Sequence, residues 1–177
     1  MNYPRVTEII SPWSGLDKIP EATLQYAASR GTETHEYCSR IANGDFIVSI
    51  SDDCRPYVES FRIWFDKIVS ETVLSEVRMT DESFGFTGQI DLLVRTKENI
   101  LLLADIKTPV QSKRGWALQC AAYNRLCELN GYHPDKIGCL QLSPEGKTPK
   151  MTYYENPNYY FNLFLQALNL YNYFEVA

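Results

Sequence analysis

Two predicted strands joined by a short turn decide the fold of this chain, and their sequence is GQIDLLVRTKENILLLADIK, from position 88 to position 107. Residues 87–95 and 100–107 are rich in apolar and β-branched side chains, which predicts strands, and residues 96–99 predict the hairpin turn between them. The run at 101–104 is apolar without alternation, so we expect its strand to be covered on both faces. A strand of that kind belongs inside a sheet that has other layers above and below it.

Charged side chains interrupt these apolar strands near their ends. Asp91 and Asp105 lie on neighbouring predicted strands, and Lys107 points to the same sheet face as Asp105 because strand side chains alternate with a period of two. Ile106 then points into the core, while its carbonyl oxygen stays beside the carboxylates. Hard divalent cations bind such oxygen ligands, activate water and neutralise phosphate charge. The pattern therefore indicates a metal-dependent site suited to phosphodiester hydrolysis.

Helical patterns precede and follow the strands. Gly31 is expected to break or bend the helix before it, and Thr32 is a plausible N-cap for the next one. The predicted order is an extended or helical lead-in at 4–10, a loop at 11–20, helices at 21–30, 33–42 and 57–70, strands at 72–79, 87–95 and 100–107, a helix at 115–130, strands at 136–142 and 151–155, and a last helix at about 157–174. We therefore predict an α/β sandwich in a single domain, 1–177, with a central mixed sheet flanked by helices. Its N-terminal helical region covers about 1–71, the sheet with its helix about 72–155, and the C-terminal helix about 157–174.

The cysteines and the apolar runs limit where the protein works. The five cysteines are odd in number, scattered, and never arranged as Cys-x-x-Cys. We expect reduced thiols rather than a disulfide framework or a zinc site. The N-terminal sequence has no apolar signal region, and no apolar run approaches membrane-spanning length. The expectation is an intracellular, cytoplasmic protein with no membrane partner.

The formal net charge of -5 argues at first against a nucleic-acid partner, because a basic surface is the usual footprint of such proteins. The objection is only partial. Carboxylates that hold a divalent metal lower the charge of the apoprotein, and the bound ion then reverses the local field where a phosphate would sit.

Three spaced motifs resemble those of a known family. The order Gly88-x-x-Asp91, Asp105-x-Lys107 and Gln119-x-x-x-Tyr123 resembles the PD-(D/E)xK nuclease superfamily, and specifically its RecB-like exonuclease branch. Upstream, residues 30–36 look like the Gly-Thr-x-x-His helix of that branch, and residues 4–10 resemble the lead-in of phage-encoded and mitochondrial genome maintenance exonucleases. The resemblance implies a restriction-endonuclease-like fold and runs from near the N-terminus to about position 123.

The resemblance also implies a role for each matching side chain. One or two Mg²⁺ or Mn²⁺ ions would be held by His35, Asp91, Asp105 and the carbonyl of Ile106. Lys107 would be the catalytic lysine. Gln119 and Tyr123, one helical turn apart, would contact the DNA backbone or buttress Lys107.

Some matches remain open on the sequence alone. Glu76 matches a glutamate often found in the first strand, but a salt bridge in the strand explains it equally well. Glu36 is the alternative ligand to His35. Ile90 stands where the superfamily has a proline. Some relatives bind an iron-sulfur cluster through one early cysteine and three late ones, and since no cysteine follows Cys139 we expect no cluster here.

The function implied by the resemblance is that of a metal-dependent DNA exonuclease in recombination, replication or repair, encoded by a phage and acting in the host cytoplasm. An endonuclease is the alternative within the same class. Outside it stand a non-catalytic domain that keeps the fold to bind DNA or a protein, and a metal-dependent enzyme that acts on RNA. A protein partner or a homo-oligomer is compatible with each of these.

Overall fold

The computed structural model describes residues 3–14, 19–109 and 113–175, which form five α-helices, five strands and one short 3₁₀ helix. The elements in chain order are α1 (Val6–Ile10), the 3₁₀ helix (Ser11–Trp13), α2 (Glu21–Ala42), α3 (Arg55–Ile68), β1 (Val69–Asp81), β2 (Phe86–Thr96), β3 (Leu101–Lys107), α4 (Gly115–Leu129), β4 (Lys136–Gln141), β5 (Lys150–Tyr153) and α5 (Pro157–Glu175). None of the helices in these described ranges is long and apolar enough to cross a membrane.

The strands form one mixed sheet in the order β1-β2-β3-β4-β5. β1, β2 and β3 run antiparallel as a meander, and β5 is antiparallel to β4. β3 and β4 are parallel, with Asp105 opposite Cys139, and α4 connects them. A parallel pair requires such a crossover, so α4 lies on the sheet directly after the strand that ends in Asp105 and Lys107. The predicted fold, an α/β sandwich of the restriction-endonuclease-like type with a central mixed sheet, is confirmed.

Each face of the sheet packs against its own group of helices. The first, here called the α4 face, buries Leu103 against α1, α4 and α5. The second, the α3 face, buries Leu102 and Ile106 against α2 and α3. Leu102 and Leu103 are both almost fully buried although they are adjacent in the strand, which confirms that β3 is covered on both faces.

The predicted break at Gly31 is wrong, because α2 continues from Glu21 to Ala42 through it. Thr32 is not an N-cap either, since its hydroxyl donates to the carbonyl of Ala28 one turn earlier. A glycine in a helix interior costs only about 1 kcal/mol relative to alanine, and the packing of α2 against α3 and the sheet outweighs that cost. His35 therefore lies in the middle of a long continuous helix.

The predicted loop at 11–20 begins instead with the 3₁₀ helix, while residues 15–18 lie outside the described residues. The lead-in combines both expected conformations. Arg5 forms an isolated bridge with Thr87 of β2, and the helix α1 starts at the next residue.

Asp81 anchors the turn between β1 and β2 to the helix behind it. Its carboxylate is only 1% exposed and accepts hydrogen bonds from the amides of Ser83 (2.9 Å) and Phe84 (3.1 Å). The Nε of Arg125 on α4 also donates to it, over 3.1 Å. Burial raises the pKa of Asp81, but hydrogen bonds from the hydroxyl of Ser83, the amide of Phe84 and the side chain of Arg125 outweigh the burial and leave the pKa lowered.

We expect Asp81→Asn to lower the free energy of unfolding by about 1.5–3 kcal/mol at pH 7, the range for hydrogen bonds to a charged group. A lowered folded-state pKa stabilises the protein above the unfolded pKa near 4, and this contribution is lost as pH falls through the folded value. Urea denaturation should therefore show a smaller gap between wild type and variant at pH 3 than at pH 7. Glu82→Gln, an exposed neighbour in the same turn, is the control. A gap that stays constant with pH would contradict the assignment.

Candidate metal centre

A cleft of about 860 Å³ lies between α2, the β1–β2 hairpin and the end of β3. It collects every side chain that the sequence singled out for chemistry, although these residues are spread over 89 positions. The residues concerned are His35, Glu76, Asp91, Asp105, Lys107, Gln119 and Tyr123. Ile106 does not line it, because its side chain is buried on the α3 face as expected.

Strand β2 changes face at Asp91. Ile90 packs on the α4 face, whereas Leu92 packs on the α3 face. A regular strand would keep both residues on one face, since side chains alternate with a period of two. Asp91 lies at the point of the change, and its Oδ2 accepts a hydrogen bond from the backbone amide of Ile106 over 2.8 Å. The carboxylate therefore lies toward the edge of β3 rather than above the sheet.

Strand β1 changes face at the same level. The hydroxyl of Ser75 meets that of Ser39 on α2, whereas Val77 packs on the α4 face. Between them, Glu76 has a φ of 55°, in the left-handed region that residues other than glycine rarely adopt. Backbone strain of this kind occurs where the surrounding structure holds a functional side chain in place. Here the result is that Glu76 and Asp91 both lie beside His35.

These three residues form a group of donors that could hold a cation. One ligand atom from each of His35, Glu76 and Asp91 lies within 4.8 Å of the other two. The Nδ1 of His35 is 3.5 Å from Asp91 Oδ1 and 3.7 Å from Glu76 Oε1. Glu76 Oε2 accepts a hydrogen bond from Gln89, while Glu76 Oε1 is buried without a hydrogen-bond partner among the described residues. A buried orphan oxygen beside a second carboxylate and an imidazole fits a divalent cation that accepts both oxygen and nitrogen ligands.

The same geometry controls the charge on His35. Burial lowers the pKa of its imidazole, but the carboxylates of Asp91 and Glu76 outweigh the burial and raise the pKa to about 10. The metal-free protein therefore carries a protonated imidazole between two carboxylates at neutral pH. A metal that used this nitrogen would have to displace its proton.

Asp105 lies in a second group, next to the first. Its Oδ2 is 2.8 Å from the Nζ of Lys107, and its Oδ1 accepts a hydrogen bond of 3.0 Å from Gln119. Gln119 in turn accepts from Lys107 Nζ over 3.0 Å, and its amide nitrogen lies 3.0 Å from the hydroxyl of Tyr123. Of the two expected roles for Gln119 and Tyr123, these contacts match the buttressing of Lys107. The predicted ligands are thus divided between two adjacent groups, and Asp105 is outside the one that contains His35.

Two further sequence hypotheses can be compared with the geometry. Glu36, the alternative to His35, is exposed and pairs with Arg40 at 3.7 Å. The carbonyl of Ile106 lies beyond the last β2–β3 pair, Leu92 with Ala104. A strand residue directs its N–H and C=O to the same side, and the N–H of Ile106 already faces Asp91. Its carbonyl is therefore on the Asp91 side of β3.

The sequence alone did not predict that several arginines would line the cleft. Arg5, Arg30, Arg40 and Arg78 line it together with Lys107. The Nε of Arg30 is buried without a hydrogen-bond partner among the described residues, and its guanidinium lies 5.0 Å from the ring centre of Tyr57. These arginines are dispersed along the chain, so no basic cluster marks them. Five cationic side chains and four carboxylates line the cleft, so its charge balance differs from the overall charge of -5.

Glu76→Gly and Glu76→Gln together test whether Glu76 serves the site. Both remove the carboxylate, but only glycine relieves the positive φ, so we expect Glu76→Gly to be more stable than Glu76→Gln by about 1 kcal/mol. Both should weaken Mn²⁺ binding at least about tenfold, as measured by calorimetry. If Mn²⁺ binding is unchanged in both variants, Glu76 is a structural strand residue.

Comparison with known proteins supports the fold. No family model matches the sequence, and no curated protein matches it. The structure is similar to that of a protein from Eubacterium rectale named "Putative exonuclease", with a TM-score of 0.50 and 13% sequence identity. The match covers 81% of this chain and 64% of the other, so this chain spans a little under two thirds of that protein. At this identity the likeness shows a shared fold.

A second solved structure, of the protein SSO0001, matches 55% of this chain and 50% of its own at 16% identity. Its TM-score is 0.36.

Proposed function

We propose that this chain is a divalent-metal-dependent DNA nuclease, and specifically an exonuclease that uses Mg²⁺ or Mn²⁺. The observation that carries the proposal is the convergence of two carboxylates and an imidazole, one carboxylate with a buried orphan oxygen, beside a lysine held by Asp105 and Gln119. Metal ligands next to a fixed ammonium are what phosphodiester hydrolysis requires.

His35, Glu76 and Asp91 would hold the ion, with Asp105 and the Ile106 carbonyl as the ligands nearest to them. When bound, the ion would neutralise charge on the phosphate and lower the pKa of the attacking water. This role explains why the chain tolerates a strained glutamate and two buried carboxylates at one place.

Lys107, in the adjacent group that contains Asp105, would position the reacting groups. Burial lowers the pKa of its ammonium, but Asp105 and Asp91 outweigh the burial and raise it, so the group stays protonated. A protonated lysine can donate to a phosphate oxygen or orient the attacking water, and it cannot accept a proton in this state. Gln119 prevents the side chain from rotating away, and Tyr123 holds Gln119.

The arginines around the cleft would bind the DNA backbone. Contacts to phosphates position a nucleic acid without reading its sequence, which suits an enzyme that degrades DNA from an end. The resemblance to the RecB-like branch leads us to propose that the activity serves recombination, replication or repair, with DNA as the substrate.

The test uses purified protein, Mn²⁺ and labelled DNA in linear and covalently closed circular form, with Asp105→Ala alongside. We expect the wild type to degrade linear DNA, to leave the closed circle intact and to lose activity in EDTA, while the variant is inactive. Rapid cutting of the circle would overturn the exonuclease assignment in favour of an endonuclease. Equal activity in the variant and the wild type would overturn the site. Replacing the DNA with RNA of the same sequence tests the RNA alternative.

A further inference from the structure

Two cysteines lie directly behind Asp105, outside the cleft lining. The Sγ atoms of Cys120 and Cys139 are 3.5 Å apart, and Cys139 Sγ is 3.3 Å from Asp105 Oδ2. One donor atom from each of the three residues lies within 4.8 Å of the other two, and all three residues are buried. The arrangement follows from topology, since Asp105 and Cys139 are partners in the parallel β3–β4 pair and α4 carries Cys120 over the same face.

These separations match the edges of a zinc coordination shell. With Zn–S bonds of about 2.3 Å and Zn–O bonds of about 2.0–2.2 Å, a tetrahedral site has a sulfur–sulfur edge of about 3.8 Å and a sulfur–oxygen edge of about 3.5–3.7 Å. Both observed pairs are shorter than these edges by only about 0.2–0.4 Å, so the donors need to move little to admit an ion. Two sulfur ligands also select soft ions such as Zn²⁺ and Cd²⁺ over Mg²⁺ and Mn²⁺.

We infer that Asp105, Cys120 and Cys139 form a second cation site, which binds Zn²⁺ and inhibits the enzyme. An ion there would take Asp105 Oδ2, the oxygen that now pairs with Lys107 at 2.8 Å. Asp105 would be held away from the group of His35, Glu76 and Asp91. Each thiol that coordinates the ion releases its proton, and the ion reaches them through the cleft, since Asp105 lines it. The inhibition rests on the proposed nuclease function, whereas the binding does not.

The binding test titrates the metal-free protein with Cd²⁺ alone and follows the ultraviolet absorption that appears when a thiolate binds the metal. We expect one Cd²⁺ per chain at this site. Because loss of even an outer partner weakens a metal site about 10- to 100-fold, Cys120→Ser and Cys120→Ala should each weaken binding at least about 100-fold. Cys127→Ser is the matched control, since Cys127 is buried on the same helix outside the group. Mg²⁺ should give no such absorption.

Thermal unfolding shows whether each variant is folded. If the buried hydroxyl of Cys120→Ser prevents folding, Cys120→Ala is used in its place. Absence of the absorption in the wild type would overturn the inference. So would full absorption in a folded Cys120 variant.

The inhibition test adds Zn²⁺ to the Mn²⁺-activated protein. We expect Zn²⁺ to abolish cleavage by the wild type and by Cys127→Ser, and Cys120→Ser to stay active at 10-fold higher Zn²⁺. Equal inhibition of all three would overturn the inhibitory role. A Cd²⁺ absorption signal in a protein without nuclease activity would overturn the proposed function but not the metal site. Failure of the function and failure of the metal site therefore give different results.

Discussion

Asp91→Asn is expected to reduce cleavage of end-labelled DNA at least about 1000-fold, in single-turnover assays with Mn²⁺. Asparagine has the size of aspartate and can still accept the hydrogen bond from the amide of Ile106, which now spans 2.8 Å. It removes the negative charge that lies 3.5 Å from His35 Nδ1, so one anionic ligand of the candidate metal centre is lost. The variant should therefore fold and fail to retain the metal.

Asp81→Asn is the matched control for this prediction. Both aspartates are buried in the β1–β2 hairpin, but Asp81 pairs with Arg125 and does not line the cleft. At a temperature where both variants are folded, Asp81→Asn should cleave within about twofold of the wild type. Cleavage by Asp91→Asn within tenfold of the wild type would contradict the role of Asp91.

Lys107→Met is expected to lower the cleavage rate by about 100- to 10,000-fold, the range for a group that handles protons or orients water. It should also lower the free energy of unfolding by about 3–5 kcal/mol, because removing one partner of a buried ion pair leaves the other uncompensated. Asp105 is 1% exposed and would lose the ammonium that now lies 2.8 Å away. Methionine keeps the apolar stem, so packing alone does not explain such a loss.

The double variant Asp105→Asn with Lys107→Met tests the source of the lost stability. Without the buried carboxylate it should recover most of the free energy of unfolding in urea denaturation, yet remain inactive because both Asp105 and Lys107 serve the site. If the double variant is as unstable as Lys107→Met alone, the loss does not come from an unpaired Asp105. If cleavage returns with stability, neither Asp105 nor Lys107 has a role beyond the fold.

Local sequence patterns predicted most of the architecture. The run of apolar residues in β3 is buried on both faces because a strand that does not alternate between polar and apolar residues has no polar face to expose to water. The period of two places Asp105 and Lys107 on one face of that strand, and the helical period places Gln119 and Tyr123 on one face of α4. These relations depend only on the geometry of one element, so the sequence by itself determined them.

Tertiary structure decided what depends on contacts between elements. Gly31 stays helical because α2 packs against α3 and the sheet. The residues near Gly31 in the sequence do not encode that packing. The paired change of face at Glu76 and Asp91 needs two strands in one register, and together with the packing of α2 on the sheet it brings the carboxylates to His35. The arginines of the cleft and the pair of Cys120 with Cys139 converge from distant positions in the same way. A short-range sequence pattern predicts which face of a helix or strand a residue occupies. The free energy of packing the helices against the sheet decides which residues from different elements come into contact.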